Sequence, residues 1–99
     1  MKRYQGSRCN GEALVEVNGA CLDPRLDLRN HSPSGFEWGY AGSGPAQLAL
    51  AILADHLGDG SKALSLYQDF KFAVIARLPR EGWTLTSEQI QQAVESLRQ

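Results

Sequence analysis

The hydrophobic pattern changes period near the middle of the chain. From residue 3 to 22, Tyr4, Ala13, Val15, Val17, Ala20 and Leu22 fall on one set of alternating positions. Gln5, Ser7, Glu12, Glu16 and Cys21 fall on the other, with Leu14 the exception. Alternation of this kind belongs to strands with one buried face. Two Asn-Gly dipeptides, Asn10-Gly11 and Asn18-Gly19, interrupt it, and such pairs supply the two positive-φ residues of a tight hairpin turn. Treating each as a two-residue loop sets Cys9 opposite Glu12, Tyr4 opposite Val17, Val17 opposite Ala20 and Val15 opposite Leu22. Both turns place the same residues on one face, which predicts a three-strand antiparallel meander with one side in water.

Alternation continues in two further stretches. Leu26 and Leu28 alternate with Arg25, Asp27 and Arg29, between Asp23-Pro24 and the turn Ser32-Pro33-Ser34-Gly35. An extended segment would point these leucines inward and the charges outward. Phe36, Trp38 and Tyr40 alternate with Glu37 and Gly39, predicting a short strand near 36–40 with three rings on one face. Rings of that size belong in a core more often than on a binding platform.

Beyond Gly42 the period becomes helical. Pro45 suits the first turn of a helix and Ser43 a cap, so a helix is expected over about 45–57, ending at Gly58. Leu48 to Leu53 are apolar on every side, with Gln47, Asp55 and His56 marking where the helix meets water. Leu64, Tyr67, Lys71, Val74, Ile75 and Leu78 predict a second helix over about 61–78, before Pro79. Trp83-Thr84-Leu85 reads as a strand at 83–85 returning to the sheet. Thr86 and Gln89 form a capping-box pair opening a last helix at about 87–98. The expected fold is α+β: a small antiparallel sheet packed against two long helices and a C-terminal helix, as a single compact domain over 1–99.

Composition narrows the function classes. With 99 residues, 42% of them hydrophobic, the chain can build one core. A net charge of -1 and a pI of about 6.1 provide no basic field, so direct nucleic-acid binding is not expected. No stretch has the length of a membrane span or the layout of a signal peptide, and a cytoplasmic location is expected. The hairpin register separates Cys9 from Cys21 by more than a disulfide can bridge. Together with His31 and His56 they lack metal-ligand spacing, and no metal or other cofactor is expected.

Three pieces of chemistry remain. Gly42-Ser43-Gly44 at a helix start is a candidate anion or ligand loop, since free backbone N–H groups and the helix dipole favour anions there. It lacks a phosphate-loop pattern and a lysine nearby in sequence, and Pro45 removes one donor. Ser43 with His31 or His56, and Glu37 with Asp69, match no catalytic arrangement, so no enzyme activity is expected. The charged segment supplies candidate partner-binding residues, Arg25, Asp27, Arg29 and His31, with Glu37 beyond it. It reads either as a solvated edge or as a same-sided arginine pair for a partner's carboxylates or phosphates. The sheet edge beside the Tyr4 strand is a candidate for self-association.

The runs Leu22-Asp23-Pro24-Arg25, Leu28-Arg29-Asn30-His31-Ser32-Pro33, Gly35-Phe36-Glu37-Trp38-Gly39-Tyr40 and Gly42-Ser43-Gly44-Pro45-Ala46-Gln47-Leu48-Ala49-Leu50 can be taken together. With Tyr67-Gln68-Asp69-Phe70-Lys71 and Gly82-Trp83-Thr84-Leu85-Thr86, the chain resembles the uncharacterised family known as domain of unknown function 6166. Members of that family occur in bacteria, archaea, phages and other mobile elements, with no activity assigned. The resemblance implies a non-enzymatic interaction module of phage or mobile-element origin. Such a module would bind and inhibit a host protein or nucleoprotein complex, including CRISPR effectors and other defence assemblies. The alternative is a small-ligand or nucleotide-binding domain using the glycine-rich helix entry. Exposure of Trp38 and Tyr40 is one observation that separates the readings.

Overall fold

The computed structural model describes residues 2–32 and 35–97. Strands β1 (Arg3–Cys9), β2 (Glu12–Val17) and β3 (Ala20–Cys21) form the expected meander. Tyr4 pairs with Val17, Cys9 with Glu12 and Val17 with Ala20, the register that the two turns predict. Asn10 and Gly11 take φ of 53° and 84°, and Asn18 and Gly19 take 50° and 85°. That turn geometry matches the right-handed twist of its flanking strands. Leu22 continues the ladder, its N–H donating to Val15 O at 3.1 Å. Ala20 is exposed, since β3 is a two-residue edge with nothing beyond it to cover its face.

A fourth strand, β4 (Trp83–Thr86), pairs antiparallel with the other side of β1, giving the order β3-β2-β1-β4. The Tyr4 strand is therefore central, and the edge expected to be open for self-association is filled by β4. Trp83 lies opposite Gly6 in this pair. A Cβ at Gly6 would stand 2.3 Å from the indole, so the missing side chain is what lets the ring cover the strand.

Residues 36–40 do not form the predicted strand. Gly39 takes φ 87° and donates its N–H to Ile75 O at 3.0 Å, and this turn sends successive rings in different directions. Trp38 is 1% exposed, Tyr40 is 52% exposed, and Phe36 is half-buried. Trp38 meets Trp83 edge to face, with centroids 5.5 Å apart and planes at 89°, a favoured aromatic geometry.

Helix α1 (Ser43–Leu57) is capped by Gly42, and Ser43 lies inside its first turn without acting as the cap. A Cβ at residue 42 would stand 2.7 Å from the exposed Tyr40 ring, which would have to swing aside to admit a capping side chain. Every residue from Gly44 to Ala54 is buried; Leu48, Leu50, Ile52 and Leu53 are fully so and each stabilises the fold by about 2 kcal/mol. Gly58 ends the helix in the left-handed conformation, φ 64°.

Helix α2 (Gly60–Ala73) opens on Asp59, whose Oδ1 accepts from Lys62 N. It stops earlier than the predicted residue 78. Val74 leaves the helical region, Ile75–Arg77 form a 3-10 turn, and Leu78 is extended, as a residue before proline prefers. Helix α3 (Ser87–Leu97) is entered through the expected reciprocal cap: Gln89 N–H donates to Thr86 Oγ1, and Thr86 N–H donates to Gln89 Oε1. Its expected last residue, 98, is outside the described residues.

Tyr4 and Val15 are buried on the face of the sheet toward the helices, while Gln5, Ser7, Cys9 and Leu14 are exposed on the other. No helix of the described residues is long and apolar enough to cross a membrane.

Candidate functional site

The charged segment after β3 is not the extended alternation that Leu26 and Leu28 suggest. Arg25 takes φ 56°, Leu28 N–H donates to Arg25 O at 3.0 Å, and Leu26 to Leu28 make a turn. Leu26 is 39% exposed, while Leu28 packs into the space left by the missing side chain of Gly60 at the start of α2. The closing turn at Ser32-Pro33-Ser34-Gly35 is only partly within the described residues; Ser32 Oγ donates to Gly35 O at 2.7 Å.

What fixes this loop is Gln47. Expected at the water-facing margin of α1, it is 0% exposed. Its Oε1 accepts from His31 N–H at 2.8 Å and Ser32 N–H at 3.1 Å. Its Nε2 donates to Pro24 O at 2.6 Å and Arg29 O at 3.1 Å. A carboxamide has two donors and two acceptor lone pairs, and here all four are used. Such satisfaction is the condition for a polar group to sit in an apolar helix, since each unpaired buried group costs about 1–3 kcal/mol.

The loop is tied to α2 as well. His31 Nε2 and Tyr67 Oη share a hydrogen bond of 2.6 Å, with ring centroids 5.4 Å apart. Burial, then the charges of Arg29 and Lys71, lower the His31 pKa from its ordinary value and favour the neutral ring. Arg25 and Asp27 are paired within the loop, Nε to Oδ1 at 3.0 Å and Nη2 to Oδ2 at 3.1 Å. That bond raises the arginine pKa and lowers the carboxyl one. Arg29 is exposed, and its side chain has no ion-pair partner among the described residues.

Glu37 belongs to a different cluster. Its carboxylate accepts from Arg8 Nη2 at 2.9 Å and Nη1 at 3.3 Å, a bidentate pair that holds its pKa below the usual carboxylate value. Arg8 Nε also donates to Arg80 O at 2.7 Å, and its guanidinium lies 4.6 Å from the Trp38 ring centroid. Arg80 O accepts in addition from Trp38 Nε1 at 3.2 Å. Of the five predicted partner residues, Arg25, Asp27, Arg29 and His31 share one loop, and Glu37 serves this second cluster.

The glycine-rich entry is a close-packing device. A Cβ at Gly44 would stand 2.7 Å from Glu37 Cβ and 3.2 Å from Glu37 N. A groove of about 460 Å³ between the first hairpin tip and this entry is lined by Glu12, Phe36, Glu37, Tyr40 and Gly44, among others. Gly42 and Ser43 do not line it. An anion there would face two carboxylates. Among the described residues, no three His, Cys, Asp or Glu side chains converge as metal ligands, and Cys9 and Cys21 are exposed free thiols.

Three residues that matter here escape pattern reading: Gln47, Arg8 and Lys71. The signal for Gln47 is an amide within an otherwise apolar helix. For Lys71 it is the spacing of four from Tyr67, which puts both on one face of α2. Nothing in the sequence indicates that Arg8 and Glu37 meet.

No curated protein and no solved structure matches the chain. One family model does match it, over residues 4–96: the chain belongs to the family of unknown function DUF6166.

Proposed function

We propose that the chain is a non-enzymatic interaction module whose recognition element is the loop from Pro24 to Ser32 together with the adjoining face of α2. The observation that carries this reading is the buried Gln47 amide and its four bonds to that loop. An exposed, charged loop held in one shape from the core has lost its conformational freedom before any partner arrives, and preorganisation of this kind favours affinity. No catalytic role is assigned to any side chain. The finer form of the proposal rests on the family resemblance: a phage or mobile-element protein that works in the cytoplasm by occupying a host protein or nucleoprotein complex.

The test is affinity capture from host lysate, followed by hydrogen exchange on the isolated complex. The proposal expects a stoichiometric partner, protection over residues 24–32, and loss of capture in the Arg25→Glu, Arg29→Glu variant with an unchanged melting temperature. Protection confined to other residues would remove the loop from the site. A thermal shift with nucleotides, and no protein partner, would instead support the small-ligand reading.

A further inference from the structure

We infer that the partner presents an acidic peptide segment, a carboxylate side chain next to an apolar one, and that Lys71, Arg29 and Phe72 receive it. This inference rests on the interaction-module reading and adds the chemistry of the partner.

Lys71 is only 9% exposed. Among the described residues its ammonium has neither an ion-pair partner nor a hydrogen-bond acceptor. Its neighbour is the Phe72 ring, 4.3 Å from Nζ to the centroid. A cation over a ring face is held in place while keeping its charge uncompensated. Phe72 is 57% exposed, more than the other exposed large hydrophobic side chains, Leu14, Leu26 and Tyr40.

Arg29 from the loop and Lys71 from α2 both lie close enough to His31 for their charges to act on its ring. Lys71 is one turn beyond Tyr67 on α2, and Tyr67 Oη is bonded to His31 Nε2. Arg29 precedes His31 by two residues, with its carbonyl held by Gln47. Asp27, the acid nearest in the loop, is occupied by Arg25. Asp69 faces away from Lys71, but it precedes Phe72 by three residues and shares the exposed side of that ring, so one carboxylate stands against the two cations. Two cations without an ion-pair partner among the described residues, one of them over an exposed ring, match a ligand that is anionic and apolar at once. A bare phosphate has no use for Phe72. A polyanion such as nucleic acid needs a wider positive field than a chain of net charge -1 offers.

The probe is a capped Glu-Leu-Glu-Glu-Phe-Glu peptide titrated into the isotope-labelled full chain and followed by amide NMR. Controls are its all-glutamine counterpart, oligo-deoxythymidine and inorganic phosphate. The expected result is movement of the amides of residues 29–31 and 71–72, with affinity falling about tenfold between about 0.05 and 0.3 M salt. Arg29→Gln, an exposed substitution, and Lys71→Gln should each weaken binding about fivefold or more, and Phe72→Ala should weaken it at constant salt dependence. Equal binding of the glutamine peptide, tighter binding of oligonucleotide or phosphate at these residues, or no movement there overturns the inference. Should Lys71→Gln fail to fold, Arg29→Gln and Phe72→Ala decide the matter. Capture of a protein partner that both variants leave untouched would keep the interaction module and discard its acidic ligand.

Discussion

Tyr4 Oη donates to Asp55 Oδ2 at 2.5 Å, across 51 positions of sequence, and joins the central strand to the last turn of the buried helix. Lys2 Nζ reaches the same oxygen at 3.0 Å from the exposed side. Burial first, then the hydrogen bond and the charge of Asp55, push the phenol pKa far above its ordinary range. Because the folded state favours the protonated phenol, this contribution is present below about pH 10 and is lost as pH rises beyond it. Tyr4→Phe should lower stability by about 1.5–3 kcal/mol at neutral pH, the range for a bond to a charged acceptor. It should also flatten the alkaline limb of a denaturation profile; an unchanged limb would mean that Tyr4 does not titrate with unfolding.

Replacing Gln47 tests the staple. Gln47→Leu keeps the helix apolar but strands two N–H groups and two carbonyls, and should destabilise by about 2–4 kcal/mol after water recovers part of the loss. Chemical denaturation would show the shift in midpoint, and hydrogen exchange would show faster exchange at His31 and Ser32. A stable Gln47→Leu variant with both amides still protected would contradict the role assigned to the side chain.

Gly6 and Trp83 should behave as a coupled pair. Gly6→Ala places a methyl carbon 2.3 Å from the indole, against a ring rather than a flexible side-chain end, and overpacking of this kind costs about 1–3 kcal/mol. Trp83→Leu should be destabilising alone yet relieve part of the Gly6→Ala penalty. A double-mutant cycle with no interaction energy would place the ring elsewhere.

Two acid-side transitions are expected. The lowered His31 value means the fold favours the neutral ring, so stability is full above the ordinary value of 6.5 and falls as pH drops through the folded one. Glu37 repeats the pattern lower down, its contribution present above the ordinary 4.5 and lost through its depressed value. His31→Gln should remove the upper step and Glu37→Gln the lower one in melting temperature against pH. Persistence of either step would reassign it.

Much of the architecture is local chemistry and could be read directly. Each Asn-Gly pair sets a register, and the Thr86–Gln89 cap and the apolar run of α1 announce their helices without long-range information. What escaped depends on contacts distant in sequence. Gly39 turns the aromatic run because Ile75 offers a carbonyl, and alternation of Phe36, Trp38 and Tyr40 carries no trace of that partner. Gln47 looks like a boundary residue until four backbone groups of the loop are brought to it. The candidate site was legible as a charged loop; its division, with Glu37 committed to Arg8 and Lys71 added from α2, was not.

All four of the Gln47 bonds end on main-chain atoms: two amides and two carbonyls. The core thus dictates the path of the loop without consulting its side chains. Arg25, Leu26, Asp27 and the Arg29 side chain can be exchanged with the staple left intact. Surface chemistry on this loop can therefore drift, or be grafted, faster than its shape.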